Sequence, residues 1–113
     1  MKNIKLLYAF ILSILILFGC NKEETKGPIR IAAIEPLSGP YAAVGQDLVA
    51  QLQFYAEQIN LNGGVLDGRK IKIVPLDNAM KAEKTTELLR RSIDEGIRFI
   101  TQGAGSNHAL NII

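Results

Sequence analysis

Residues Ile29 to Gly45 read I-R-I-A-A-I-E-P-L-S-G-P-Y-A-A-V-G. The stretch begins as an apolar strand, breaks at Glu35-Pro36, and passes through Ser38-Gly39-Pro40 into a helix. A short apolar run bounded by Pro and Gly is a strand signal. Proline holds φ near the helical value and needs no amide partner, so Pro40 suits a first helical turn, with Ser38 as its candidate N-cap. Open α/β sheets take ligands at such a place, where a helix N-terminus follows the carboxyl end of a buried strand and free N–H groups point at the guest. The stretch predicts one half of a ligand cleft.

Downstream, the pattern predicts a helix from Tyr41 to Asn60 with Val44, Leu48, Leu52, Tyr55 and Ile59 on one face. Asn62-Gly63-Gly64 stops it, since glycine past a helix end adopts positive φ at little cost. The Asp67-Gly68 pair then turns the chain into a second strand, Lys70 to Leu76. A second helix is predicted over Lys81 to Glu95, where Ala82, Thr85, Leu89 and Ile93 share a face beside Leu88 and Gly96 is the stop. Its charged flank reads as a solvated surface. The third strand runs Ile97 to Thr101, and Gln102 to Asn107 opens a third helix, His108 to Ile113.

Strands and helices therefore alternate, and the crossovers are long enough to make parallel neighbours. The fold class is α/β, a parallel doubly wound (Rossmann-like) sheet. With the strand order 2-1-3, the switch point falls between strands one and three. Loops Pro36–Ala43 and Gln102–His108 then face one crevice.

That crevice offers hydrogen bonds and little else. Ser38 and Ser106 supply hydroxyls, Asn107 an amide, and Gly39 and Gly105 let backbone approach a guest closely. With Tyr41 as a candidate wall, the ligand-binding set is Ser38, Gly39, Tyr41, Gly105, Ser106 and Asn107. Ser38 and Ser106 also suit helix caps, and Tyr41 suits packing. Glu35 and Asp77, at strand ends, fit either loop bonding or cleft lining. His108, the lone histidine, reads as a solvent-facing residue of a first turn. No nucleophile has an evident base and no carboxylate pair stands at a useful spacing, so the chain is read as a binder and not an enzyme. No Cys/His cluster suggests a metal, and no cofactor is expected. The Gly103-Ala104-Gly105 triplet lacks the third glycine of a dinucleotide fingerprint, since position 108 is His, and leaves a nucleotide-dependent enzyme as the weaker alternative.

The first 19 residues are read as a signal peptide. Met1 to Lys5 is a basic head, and Leu6 to Phe18 is apolar apart from Ser13 and the tip of Tyr8, shorter than the roughly 20 residues a spanning helix needs. Lys2 and Lys5 account for the whole formal excess of +2 among 113 residues, so the remainder is neutral with interspersed charges and shows no nucleic-acid stripe. Leu17-Phe18-Gly19-Cys20 resembles a bacterial lipobox, with Phe18 bulkier than the small residue usual there. The resemblance implies cleavage before Cys20 and a lipid anchor on it, each buried acyl CH₂ contributing ~0.8 kcal/mol to membrane binding. Residues 20–28 form a polar tether without periodicity.

From Ile29 onward the chain resembles the type I periplasmic binding proteins of the Leu/Ile/Val-binding class, which serve ABC importers. The segments that carry the likeness are I-R-I-A-A-I-E-P-L-S-G-P-Y-A-A-V-G, I-N-L-N-G-G-V-L-D-G-R-K-I-K-I-V-P-L-D-N and D-E-G-I-R-F-I-T-Q-G-A-G-S. The resemblance implies two α/β lobes that close on a branched-chain or related amino acid, or on a small amide or carboxylate. Ser38, Gly39 and Pro40 match the first-lobe loop, and Ser106 the polar position after strand three. Asn107 stands where relatives often have Ser or Thr, and Val44 where some have an aromatic wall, so leucine is not assumed. The implied partners are a small-molecule ligand, an ABC permease and the membrane through the lipid anchor. The implied location is exported: periplasmic, or at the cell surface where there is one membrane. Chains of this family are several times longer, so residues 29–113 are expected to be an incomplete N-terminal lobe, from a fragment or a truncated product. A ligand sensor on the same fold is the other alternative.

Overall fold

The computed structural model describes residues 27–110 and 112–113. The expected signal peptide, the lipidation at Cys20 and tether residues 21–26 lie outside the described residues. Strands β1 (Ile29–Glu35), β2 (Ile71–Asp77) and β3 (Phe99–Thr101) alternate with helices α1 (Ala42–Leu61), α2 (Ala82–Asp94) and α3 (Ser106–Ala109). The three strands form one parallel sheet in the order β2-β1-β3. This is the predicted order, and it puts the switch point between β1 and β3.

Central position explains the composition of β1. Ala32, Ala33 and Ile34 are all 0% exposed. Successive strand side chains point to opposite faces, so burial of three in a row means that both faces are covered. Pro75 opposes Ala33 in β2, which is an edge strand of this sheet, where a missing N–H disrupts no ladder on the outer side.

Both long helices end in the same hydrogen-bonded motif. After α1, Gly63 N–H donates to Asn60 O (3.3 Å) and Gly64 N–H to Ile59 O (2.9 Å). After α2, Gly96 N–H donates to Ile93 O (2.9 Å) and Ile97 N–H to Ser92 O (2.9 Å). These are Schellman closures, and positive φ at Gly63 and Gly96 (103° and 76°) makes them possible. The second closure takes Ile97 out of the predicted third strand. Ile97 is buried as the hydrophobic residue after the helix stop, and β3 starts two positions later.

The buried helix faces differ in part from those predicted. In α1 the buried residues are Gly45, Val49 and Ala56, while Val44, Tyr55 and Ile59 are exposed. The cause is close docking at Gly45, where a Cβ would stand 2.1 Å from the Pro36 carbonyl oxygen. A backbone contact that tight rotates the inward face onto the glycine. In α2, Thr85 of the predicted face and Leu88 beside it are buried, joined by Ser92, while Ile93 is exposed. The Ser92 hydroxyl is accommodated by donation to Leu88 O at 2.8 Å.

Candidate functional site

Three loops leave the carboxyl ends of the strands, and two acidic residues organise them. Asp77 closes β2 and serves the β1–α1 loop. One of its oxygens accepts the Leu37 N–H (2.9 Å) and the Ala79 N–H (2.8 Å), and the other accepts the Ser38 hydroxyl (2.6 Å). Lys84 lies 3.7 Å away. Desolvation works against the charge, but the Ser38 hydroxyl, the Ala79 and Leu37 amides and Lys84 outweigh it and hold the carboxyl at about 2.

Ser38 is therefore no helix cap. The residue before α1 is Tyr41, whose side chain makes no capping bond. Pro40 instead occupies the second position of a turn closed by Ala42 N–H donating to Gly39 O at 3.1 Å, where its fixed φ is favourable. The hydroxyl predicted to cap the helix is drawn across to the end of β2.

Glu35 closes β1 and serves the loop after β3. It is 1% exposed, and its two carboxylate oxygens accept the N–H groups of Gly103 (2.6 Å) and Ala104 (3.1 Å). Its own carbonyl accepts the Asn78 N–H at 3.0 Å, so this one residue touches the loops that follow both neighbouring strands. Burial pushes its pKa up from the ordinary carboxylate value, against the opposing pull of the two amides. Gly103 leaves room for this pairing, since a Cβ there would meet Leu48 at 3.0 Å and the Glu35 carboxylate at 3.3 Å. Both acids bond loops; neither is a free group in the crevice.

Beneath the β3–α3 loop lies a polar cluster. His108 is 3% exposed, which corrects the expectation of a solvent-facing histidine. Its Nδ1 lies 3.5 Å from the Thr85 hydroxyl, which accepts from Asn78 Nδ2 (3.1 Å) and donates to Lys81 O (3.0 Å). The Thr85 hydroxyl is thus shared among Asn78, Lys81 and the His108 ring. No signal in the local sequence marks this burial, because Thr85 and His108 meet only through the packing of α2 on α3.

The predicted ligand residues fall into two groups. Ser38, Gly39 and Tyr41 are exposed on the β1–α1 loop, and Gly105, Ser106 and Asn107 stand at the start of α3, with Ser106 and Asn107 exposed. The Glu35 bonds to Gly103 and Ala104 bring the roots of both loops to one end of the sheet. Ser106 does not cap α3: the cap position is Gly105, at φ 88°, and α3 spans four residues, short of the predicted helix to Ile113. A shallow concavity of about 460 Å³ between α1 and the β2 edge, lined by Ala56, Leu61, Ile71 and Ile73 together with polar residues such as Glu57 and Lys72, belongs to the opposite end of β2.

Residues 28–113 match the sequence profile of a family described as periplasmic binding protein. Leu/Ile/Val-binding protein homolog 4 of Brucella abortus is 34% identical over 79 residues, which is 70% of this chain and 19% of that protein. Leu/Ile/Val-binding protein BraC3 of Rhizobium johnstonii is 31% identical over 84 residues, 74% of this chain and 23% of that one. The fold superposes with a TM-score of 0.68 and 34% identity on a leucine-, isoleucine-, valine-, threonine- and alanine-binding protein from Brucella ovis in its closed conformation. That superposition covers 75% of this chain and 22% of the other. The chain thus spans about a fifth of the length of the curated relatives it matches.

Proposed function

The chain belongs to the periplasmic binding protein family, and from that premise we propose that it forms part of the first lobe of a solute-binding component of an ABC importer. The ligand is a branched-chain or related amino acid, or a small amide or carboxylate, held between two lobes by hydrogen bonds without bond making or breaking. Ser38, Gly39 and Tyr41 line it from one loop and Gly105, Ser106 and Asn107 from the other. An ABC permease receives the ligand. The protein is exported, its signal peptide removed and Cys20 lipidated, and the polar tether holds the lobe at the membrane.

What supports this reading is that the β1–α1 and β3–α3 loops both leave the carboxyl ends of strands flanking the β1/β3 switch point, with both acidic neighbours consumed in holding loops. What remains exposed there is hydroxyl, amide and backbone, a set that captures a small polar guest and has no evident base for catalysis. Relatives named for leucine, isoleucine, valine, threonine and alanine binding support the ligand class.

Thermal melts of protein purified from native membranes, taken with each of those five amino acids, test it. A ligand at 100 times its Kd adds about 2.7 kcal/mol to stability, so at least one amino acid is expected to raise the melting temperature. No shift with any of them, nor with small amides or carboxylates, would remove the proposal. The intact mass of the same preparation tests the anchor through the expected acyl increment on Cys20.

A further inference from the structure

We propose that Asn78, Thr85 and His108 are positioning residues that set the place of the crevice segment Gly105–Asn107, and with it ligand affinity. The affinity part rests on the function proposed above.

The β2–α2 loop holds an uncommon conformation. Ala79 and Met80 both have positive φ (49° and 57°), a region that residues with a Cβ rarely adopt. The turn is closed by Lys81 N–H donating to Asn78 O at 2.9 Å, and the side chains of Asp77 and Asn78 accept the Ala79 and Met80 N–H groups at 2.8 and 2.9 Å. Every amide of this turn is held, so the conformation is over-determined by its surroundings.

The turn delivers Met80 to Gly105. A Cβ built on Gly105 would stand 3.1 Å from the Met80 methyl carbon and 2.6 Å from the His108 ring. Gly105 thus lies against the His108 imidazole and the Met80 side chain, with no room for a Cβ beside the ring. Behind the ring, the Thr85 hydroxyl joins His108 to Asn78, and Asn78 and Thr85 are both 0% exposed. Among the described residues, no buried side-chain nitrogen or oxygen lacks a hydrogen-bond partner. The chain of contacts runs from the end of β2, through α2, to the residue preceding Ser106. Asn78, Thr85 and His108 are themselves buried, so their effect on a ligand passes through Gly105–Asn107.

Thr85→Val, which keeps the shape and removes the hydroxyl, is the test in the intact mature protein. Amide hydrogen exchange reads the brace without ligand. His108 and Ala109 N–H donate to Gly105 O and Leu110 N–H to Ser106 O, so these three amides report the segment. Exchange there is expected to rise about tenfold on loss of the buried hydrogen bond, with β1 amides unchanged. Calorimetry with L-leucine is expected to show a Kd about tenfold higher, and Thr85→Ser to restore both readouts. His108→Ala should reproduce the T85V pattern, while His108→Asn, whose side-chain amide keeps a polar partner for the Thr85 hydroxyl, should lie closer to wild type.

Unchanged exchange at the three amides, or acceleration spread evenly over the lobe, overturns the brace. Raised exchange with unchanged L-leucine affinity overturns its role in binding. Wild-type protein that ignores L-leucine, every other amino acid and small amides and carboxylates refutes the function proposed above, and the exchange arm still decides the brace.

Discussion

Glu35 and Gly103, 68 positions apart in the chain, meet through a 2.6 Å hydrogen bond from the glycine N–H to the buried carboxylate. The bond joins the last residue of β1 to the loop after β3, across the switch point of the sheet. Its energetic sign is mixed, because the carboxylate gains two amide donors and loses its water.

The mixed sign has a pH signature. The folded-state pKa of Glu35 is raised, so the folded state binds this proton more tightly than the unfolded chain, where it titrates near 4.5. The group's contribution to stability is full below 4.5 and declines as pH rises through the folded value. Urea titrations are expected to show this decline in wild type and not in Glu35→Gln. At neutral pH the variant leaves one of the two amides facing an NH₂ group, at a cost of about 1–3 kcal/mol offset by relief of the buried charge.

Asp77 has the opposite dependence. Its pKa falls from 3.8 to about 2 on folding, so its contribution is present above 3.8 and lost as pH falls through about 2. After a discount for partial exposure the contribution is about 1–2 kcal/mol. Asp77→Asn is expected to lose that amount at pH 7 and to converge on wild type near pH 2. A constant gap between the two melting curves from pH 7 down to 2 would contradict this account.

Two glycines separate two causes of cost. At Gly45 a Cβ would stand 2.1 Å from a backbone oxygen, which cannot rotate away, so Gly45→Ala is expected to cost about 3 kcal/mol or more. At Gly39 nothing lies within 4 Å of an added Cβ, and only the φ of 78° opposes it, for about 1–2 kcal/mol. Chemical denaturation of both variants tests the order, and G39A as the worse of the pair would refute the docking of α1 on Pro36.

The proposed ligand contact at Ser106 predicts a variant that changes binding alone. Ser106 is exposed and caps nothing. Ser106→Ala is therefore expected to weaken amino-acid binding about tenfold, the loss of one hydrogen bond, with stability within ±0.5 kcal/mol of wild type. Calorimetry with equal affinity in both proteins would exclude Ser106 from the site.

How far the site could be read in advance follows from the range of each interaction. Pro36 and Gly39–Pro40 punctuate the first loop through their own backbone preferences, and those are legible one residue at a time. The strand order 2-1-3 was inferable because each crossover carries a helix and parallel partners need one. Ser38 suits a cap when judged within four residues, whereas its partner Asp77 lies 39 positions away. His108 was misread as exposed because its burial depends on Thr85, 23 positions earlier.

Local chemistry thus determined the alternation of strands and helices, the glycine stops after α1 and α2, and which two loops carry hydroxyl and amide groups. Tertiary structure alone decided the inward face of α1, the choice of loop bonding over cleft lining for Glu35 and Asp77, and the buried cluster under Gly105. The division has one physical reason. Backbone preference acts within a few residues, while burial and side-chain pairing depend on which distant segments the folded sheet brings together.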